Sequence, residues 1–197
     1  MTNAAPPADR TAEKPLIWDP LVRAFHWLLV LCVVGAWALG KFGPVNMTAH
    51  FWLGYGVAGL LVFRLLWGLI GPANVRFVNF VKGPVTVARY VATLPVRKPS
   101  AHGGHNPLGG WSVLALLLAL AGQVVSGLFL GTDDYVNMGP LSGYVSEATN
   151  KLALIWHYRI APIILLLVVI HFSAILFYRF WKREDLVTPM ITGRAKG

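Results

Sequence analysis

Residues 152–180, LALIWHYRIAPIILLLVVIHFSAILFYRF, form an apolar run longer than the roughly 20 residues a helix needs to cross a bilayer. A segment in hydrocarbon must satisfy its own backbone hydrogen bonds, so this run is expected to be a helix. His157 and His171 lie within it, fourteen residues apart. On a helix that spacing leaves the two imidazoles about 40° apart on one face and roughly 21 Å apart along the axis. One face of one membrane helix thus carries an imidazole near each membrane surface. Pro162 lies between them, where a kink is expected.

Three further apolar runs precede it, at about 21–39, 49–70 and 108–130. Each has spanning length, and none shows the alternation of a strand. With 56% hydrophobic and 13% charged residues, the chain belongs to the membrane class. The expected fold is an all-α membrane protein, a four-transmembrane-helix bundle spanning 16–183. It is flanked by a disordered tail over 1–15 and a C-terminal tail over 184–197. No cleaved signal peptide is expected, since Asp9 and Glu13 spoil a positive leader. The net charge of +9 does not imply a nucleic-acid partner, because the cations cluster between apolar runs and form no patch with interleaved aromatics. The one cysteine, Cys32, sits inside an apolar run and is expected to be a small buried residue. No Cys-x-x-Cys-His sequence exists, which excludes covalent c-type haem on this chain.

Of the 17 Lys and Arg, only Lys41, Lys151 and Arg159 lie in or beside the two short connections. The rest lie at the N-terminus, in the 71–107 connection, at the C-terminus or at the adjoining helix ends. The positive-inside rule places both termini and the long connection in the cytoplasm. Trp18, Trp67, Trp111 and Trp181 then mark the inner boundary, and Trp37, Trp52 and Trp156 the outer one. The first part of the long connection mixes Phe and Val with Arg76, Lys82 and Arg89. It is expected to lie on the membrane surface as an amphipathic segment broken at Gly83-Pro84.

This topology pairs the histidines by depth. His26, near the start of the first helix, and His171 fall near the inner surface. His50, near the start of the second helix, and His157 fall near the outer one. Ionisable side chains in a bilayer are costly and mark function. Two facing imidazoles between bundle helices suit a planar iron porphyrin. Two nitrogen ligands leave no open iron position, so such irons carry electrons and do not bind substrate. Zinc wants about four ligands, and each depth offers two. The expected cofactors are therefore two iron porphyrins, the inner on His26 and His171 and the outer on His50 and His157. No catalytic residue is expected.

Arg64 follows His50 by fourteen residues, which puts it on the same face at the inner depth. It suits a haem propionate, the alternative being a side chain that snorkels to the cytoplasmic surface. Arg23, one turn from His26, is a second propionate candidate, and Arg159 points to another face. Gly35, Gly54, Gly56, Gly59, Gly122, Ser126 and Gly127 fit either porphyrin edges or close helix packing. His102 and His105 stand in a turn-rich cytoplasmic stretch, as surface residues or as a proton relay.

Trp18-Asp19-Pro20-x-x-Arg23-x-Phe25-His26-Trp27 resembles the opening motif of the bacterial di-haem cytochrome b561 family, which includes the b-type cytochrome subunits of nickel–iron hydrogenases. The resemblance extends through His50-x-x-x-Gly54-Tyr55, Arg64-x-x-Trp67-Gly68-x-x-Gly71-Pro72, His105-Asn106-Pro107-Leu108-Gly109-Gly110 and the His157/His171 pair, covering about 17–182. It implies four helices and two b haems on the same four histidines. It also implies electron transfer in the bacterial inner membrane between a pool of ubiquinone or menaquinone and a redox protein, either a cytochrome c or an iron–sulfur subunit. Quinone would react near the inner haem. Two other readings of the membrane histidines stand beside this one: a small transporter with a histidine relay, and a haem-free membrane anchor subunit.

Overall fold

The computed structural model describes residues 16–44, 46–100, 104–132 and 137–195. The expected tail over 1–15, His102, Asp133 and Asp134 lie outside them. Four long helices span the molecule: α1 (Pro20–Phe42), α2 (Thr48–Ile70), α5 (Pro107–Phe129) and α6 (Glu147–Phe177). Two short helices, α3 (Phe77–Phe80) and α4 (Pro84–Ala92), interrupt the connection between α2 and α5, and α7 (Val187–Thr192) follows α6. The fold is a helical membrane bundle, as the apolar runs require. Outward-facing side chains such as Leu31, Val62, Leu118 and Phe172 are exposed along the spans, which suits a surface bathed in lipid.

Polar caps set where the helices begin, and this carries them beyond the apolar runs. Asp19 Oδ1 accepts from the Leu21 and Val22 amides (3.0 and 3.1 Å), with Pro20 at the first helical position. Asn106 Oδ1 accepts from Gly109 N (2.8 Å) ahead of Pro107, and Ser146 Oγ from Thr149 N (3.3 Å) ahead of Glu147. Pro162 sits inside α6 without ending it. The last turn widens to a π turn over Tyr178–Lys182, and Arg183 takes the left-handed conformation (φ 56°) that stops the helix.

The helices pack as two antiparallel hairpins, α1 against α2 and α5 against α6, joined mainly where α2 meets α5. Small residues bring the hairpin helices together. A Cβ on Gly35 would fall 2.9 Å from Leu53 Cδ1, one on Gly56 3.2 Å from Cys32 Sγ, and one on Gly122 3.2 Å from Ile160 Cδ1. For these three glycines the close-packing alternative holds. The pairs α1/α6 and α2/α6 are not among the extensive contacts. These are the helix pairs that carry the histidines matched by depth.

One end of the bundle, expected to face the cytoplasm and here called inner, is covered by α3, α4 and the C-terminal segment. The expected break at Gly83-Pro84 falls between α3 and α4. Gly110 lets α5 approach the Phe80 carbonyl, where a Cβ would come within 2.5 Å. Lys182 is 3% exposed and donates to the Thr93 and Val96 carbonyls (3.0 and 2.8 Å), fastening the end of α6 to the segment after α4. The stretch read as a C-terminal tail includes α7, which docks on the start of α1. Gly193 O accepts from Ile17 N and Trp18 N (2.8 and 3.2 Å), and Trp18, Val22 and the wholly buried Val75 form a small core there with Trp67 and Met190.

Asp19→Ala should lower stability by about 1 kcal/mol, the usual cost of losing an N-cap, and Asp19→Asn should recover most of it. Thermal unfolding of the two variants in detergent measures the difference.

Candidate functional site

His50 and His157 face each other at the outer end, with ring centroids 6.1 Å apart. Metal–imidazole bonds are about 2 Å long, so one metal between two rings sets their centroids about 6 Å apart. The observed separation fits a single iron. Both rings line a cavity of about 600 Å³ enclosed by α1, α2, α5 and α6. Gly54, one turn after His50, lines it too, and a Cβ there would meet nothing within 4 Å. Gly54 thus fits the cradle alternative.

Hydrogen bonds fix the orientation of both outer rings. His50 Nδ1 lies 2.8 Å from the Ala36 carbonyl, and His157 Nδ1 lies 3.1 Å from the Gln123 carbonyl. A carbonyl only accepts, so each Nδ1 carries the proton and each Nε2 keeps a lone pair. His157 Nε2 accepts from the Gln123 side-chain amide at 3.1 Å, and Ser126 Oγ donates to the Gln123 carbonyl (2.9 Å). Both imidazoles have the tautomer a metal ligand needs, with the second nitrogen anchored as metal-binding histidines require. A Cβ on Gly40 would lie 3.4 Å from His50 Cε1, and one on Gly127 3.0 Å from His157 Cε1.

His26 and His171 both lie at the inner end, near enough for their charges to interact. His26 Nδ1 is enclosed and has no hydrogen-bond partner among the described residues. Other enclosed polar atoms without such a partner gather at this end: Asp19 Oδ2, Arg23 Nε, Arg64 Nη1, Trp67 Nε1 and His105 Nδ1. Most are nitrogens able to donate. Buried polar groups seldom go unmet, so this end is built to receive acceptors from outside the chain's own groups.

Arg64 does not snorkel. It is 3% exposed, donates from Nη2 to the Val75 carbonyl (3.1 Å) and lies over the rings of Phe77 (4.7 Å) and Phe80 (5.6 Å). Its Nη1 is the unmet donor. Arg23 spends Nη1 on the Ile191 carbonyl (2.6 Å), which ties it to α7. Arg159 is exposed on α6. His105 is no surface residue. It packs between Trp18 and Phe80, each with a centroid 4.6 Å away. Burial, with Arg64 and His171 nearby, pushes its imidazole down to about 4.

Gln123 was not singled out in the sequence, although an amide in a membrane helix is itself a signal. The buried hydroxyl pair Tyr90–Tyr178 (2.7 Å), which joins α4 to the end of α6, was also missed. Nothing in the local sequence brings those two tyrosines together.

Comparison with known proteins identifies the family. Residues 17–193 match the family described as prokaryotic cytochrome b561. The chain belongs to that family. A cytochrome b561 is a multi-pass membrane protein that transfers electrons through b haem. One relative, a probable Ni/Fe-hydrogenase B-type cytochrome subunit of Rhizobium leguminosarum bv. viciae, is 24% identical over 94% of this chain and 93% of its own. No solved structure matches this cytochrome b561. The transporter and haem-free anchor readings give way to the family's electron transfer.

His105 supplies a pH test. Its folded value of about 4 lies below the ordinary 6.5, so between these values the unfolded chain binds more protons. This contribution to stability is complete above pH 6.5, is lost as pH falls toward 4 and is flat below. At 1.36 kcal/mol per pH unit, the loss is no more than about 3 kcal/mol. His105→Gln should remove that part of the pH dependence, measured by unfolding between pH 4 and 7.

Proposed function

We propose that the chain carries electrons across the bacterial inner membrane through two b haems, each held by two histidines. His50 and His157 would hold the outer haem and His26 and His171 the inner. The observation that carries this reading is the 6.1 Å approach of His50 and His157 over a shared cavity, made between helices that do not otherwise pack closely. When bound, haem supplies a reversible one-electron couple at each end of the bundle.

The chain's own groups supply the rest. Ala36 and Gln123 hold the outer imidazoles with Nε2 available, and loading displaces the Gln123 amide from His157. Gly54 leaves room beside His50. Arg64 offers Nη1 to an inner propionate, and burial strengthens that pairing. Arg23, with one nitrogen unmet, is the weaker second contact. The largely apolar lining of the outer cavity, with Val33, Val57, Leu120 and Ile164, would limit water around an iron held there. Quinone or quinol, as ubiquinone or menaquinone, reacts at the inner end, under the cover of α3, α4 and α7. The relative's name supports a redox enzyme as partner, and a redox protein such as a cytochrome c or an iron–sulfur subunit would dock at the outer end.

A reduced-minus-oxidised visible spectrum of the purified chain should show low-spin b haem at about two per chain. No haem after expression with ample supply overturns the reading. His50→Ala and His157→Ala should each remove the outer haem, and His26→Ala and His171→Ala the inner. If His26→Ala and His50→Ala removed the same haem, the pairing would be wrong. Gly54→Phe should lower outer-haem occupancy selectively, read as haem per chain.

A further inference from the structure

The two outer imidazoles are held by one device used twice. His50 donates to the carbonyl of Ala36 and lies against Gly40, four residues further on. His157 donates to the carbonyl of Gln123 and lies against Gly127, again four further on. A helical carbonyl already accepts from the amide four residues ahead, and its second lone pair serves another donor only where side chains leave room. Glycine at that fourth position leaves the room. At Gly127 the ring occupies the space a Cβ would take, 3.0 Å from His157 Cε1 and 3.3 Å from Nδ1, while at Gly40 a Cβ would rest in ordinary contact with His50, 3.4 Å from Cε1 and 3.5 Å from Nδ1.

The inner pair is built otherwise. Among the described residues His26 Nδ1 has no partner, and no hydrogen bond runs from His171 to a carbonyl. Donation of Nδ1–H to a carbonyl makes an imidazole a more basic ligand. A more basic ligand favours ferric over ferrous iron and lowers the reduction potential. Charge acts in the same direction. The buried Arg64, with Asp19 opposing it, favours an added electron at the inner end, whereas Lys41 at the outer cavity is exposed and screened by water.

We propose that the Ala36–Gly40 and Gln123–Gly127 pairs hold the outer iron at a lower reduction potential than the inner, so that an electron entering at the outer site is drawn to the inner. The step moves one electron from outer ferrous to inner ferric iron. No bond forms or breaks and no proton is needed, and the electron comes from the redox protein docked outside. This rests on the two-haem reading, and the same four residues become positioning residues for it.

Redox titration of the full chain in detergent tests the order, with His157→Ala and His26→Ala assigning each step to a haem. The outer haem should titrate at the lower potential. Gly127→Ala, whose Cβ would push the His157 ring off the Gln123 carbonyl, should raise the outer potential. The shift should correspond to about tenfold in the equilibrium, or 59 mV for one electron. It should alter the outer low-spin electron paramagnetic resonance signal and leave the inner haem unchanged. Gly40→Val, whose branched side chain reaches beyond the Cβ contact into the His50 ring, should shift it in the same direction and decides the matter if Gly127→Ala sheds its haem. Gly122→Ala, which meets only the end of Ile160, should change neither. An outer haem at the higher potential, or glycine variants that leave it unmoved, overturns the proposal while the two-haem reading stands. A chain without haem overturns that reading instead.

Discussion

An imidazole inside an apolar bundle must find a partner for its N–H, and the outer half of this molecule is arranged around that requirement. No water is at hand in hydrocarbon, so the donor turns to a backbone carbonyl already engaged in its own helix. Ala36 and Gln123 provide those carbonyls, and Gly127 makes room for the ring of His157 against the second. Meeting that donor leaves the lone pair of each ring on Nε2, which at His157 accepts from the Gln123 amide. Tautomer and ring orientation thus follow from one hydrogen-bonding constraint.

The two ends solve different problems. The outer end holds a partly open cavity between the helices and their connections. The inner end is roofed by α3, α4 and α7 and collects nitrogens whose hydrogen-bonding capacity the chain does not meet. Arg64 shows the contrast best. Its position suggested either a propionate contact or an escape to water, and Val75, Phe77 and Phe80 close off the second course. A buried guanidinium with a free nitrogen is costly unless an anion completes it.

Much of this was legible in the residues. The four runs gave four helices because a bilayer leaves the backbone little choice. Depth matching picked out His50 and His157 before their rings could be seen to approach. What was not legible depends on distances between elements far apart in the chain. The glycines four residues beyond a carbonyl look like ordinary packing glycines until a ring from another helix lies on them. His105 reads as a loop residue until Trp18 and Phe80 enclose it. The π turn and the burial of Lys182 arise from how α6 meets the segment after α4, which no local pattern encodes.

The docking of α7 on α1 has a consequence for the order in which the molecule is completed. Ile17 and Trp18 give their amides to Gly193, and Arg23 gives its guanidinium to Ile191. The start of α1 is therefore completed only when α7, which follows α6 in the chain, has docked on it. Until then the stretch leading into His26 lacks its lid.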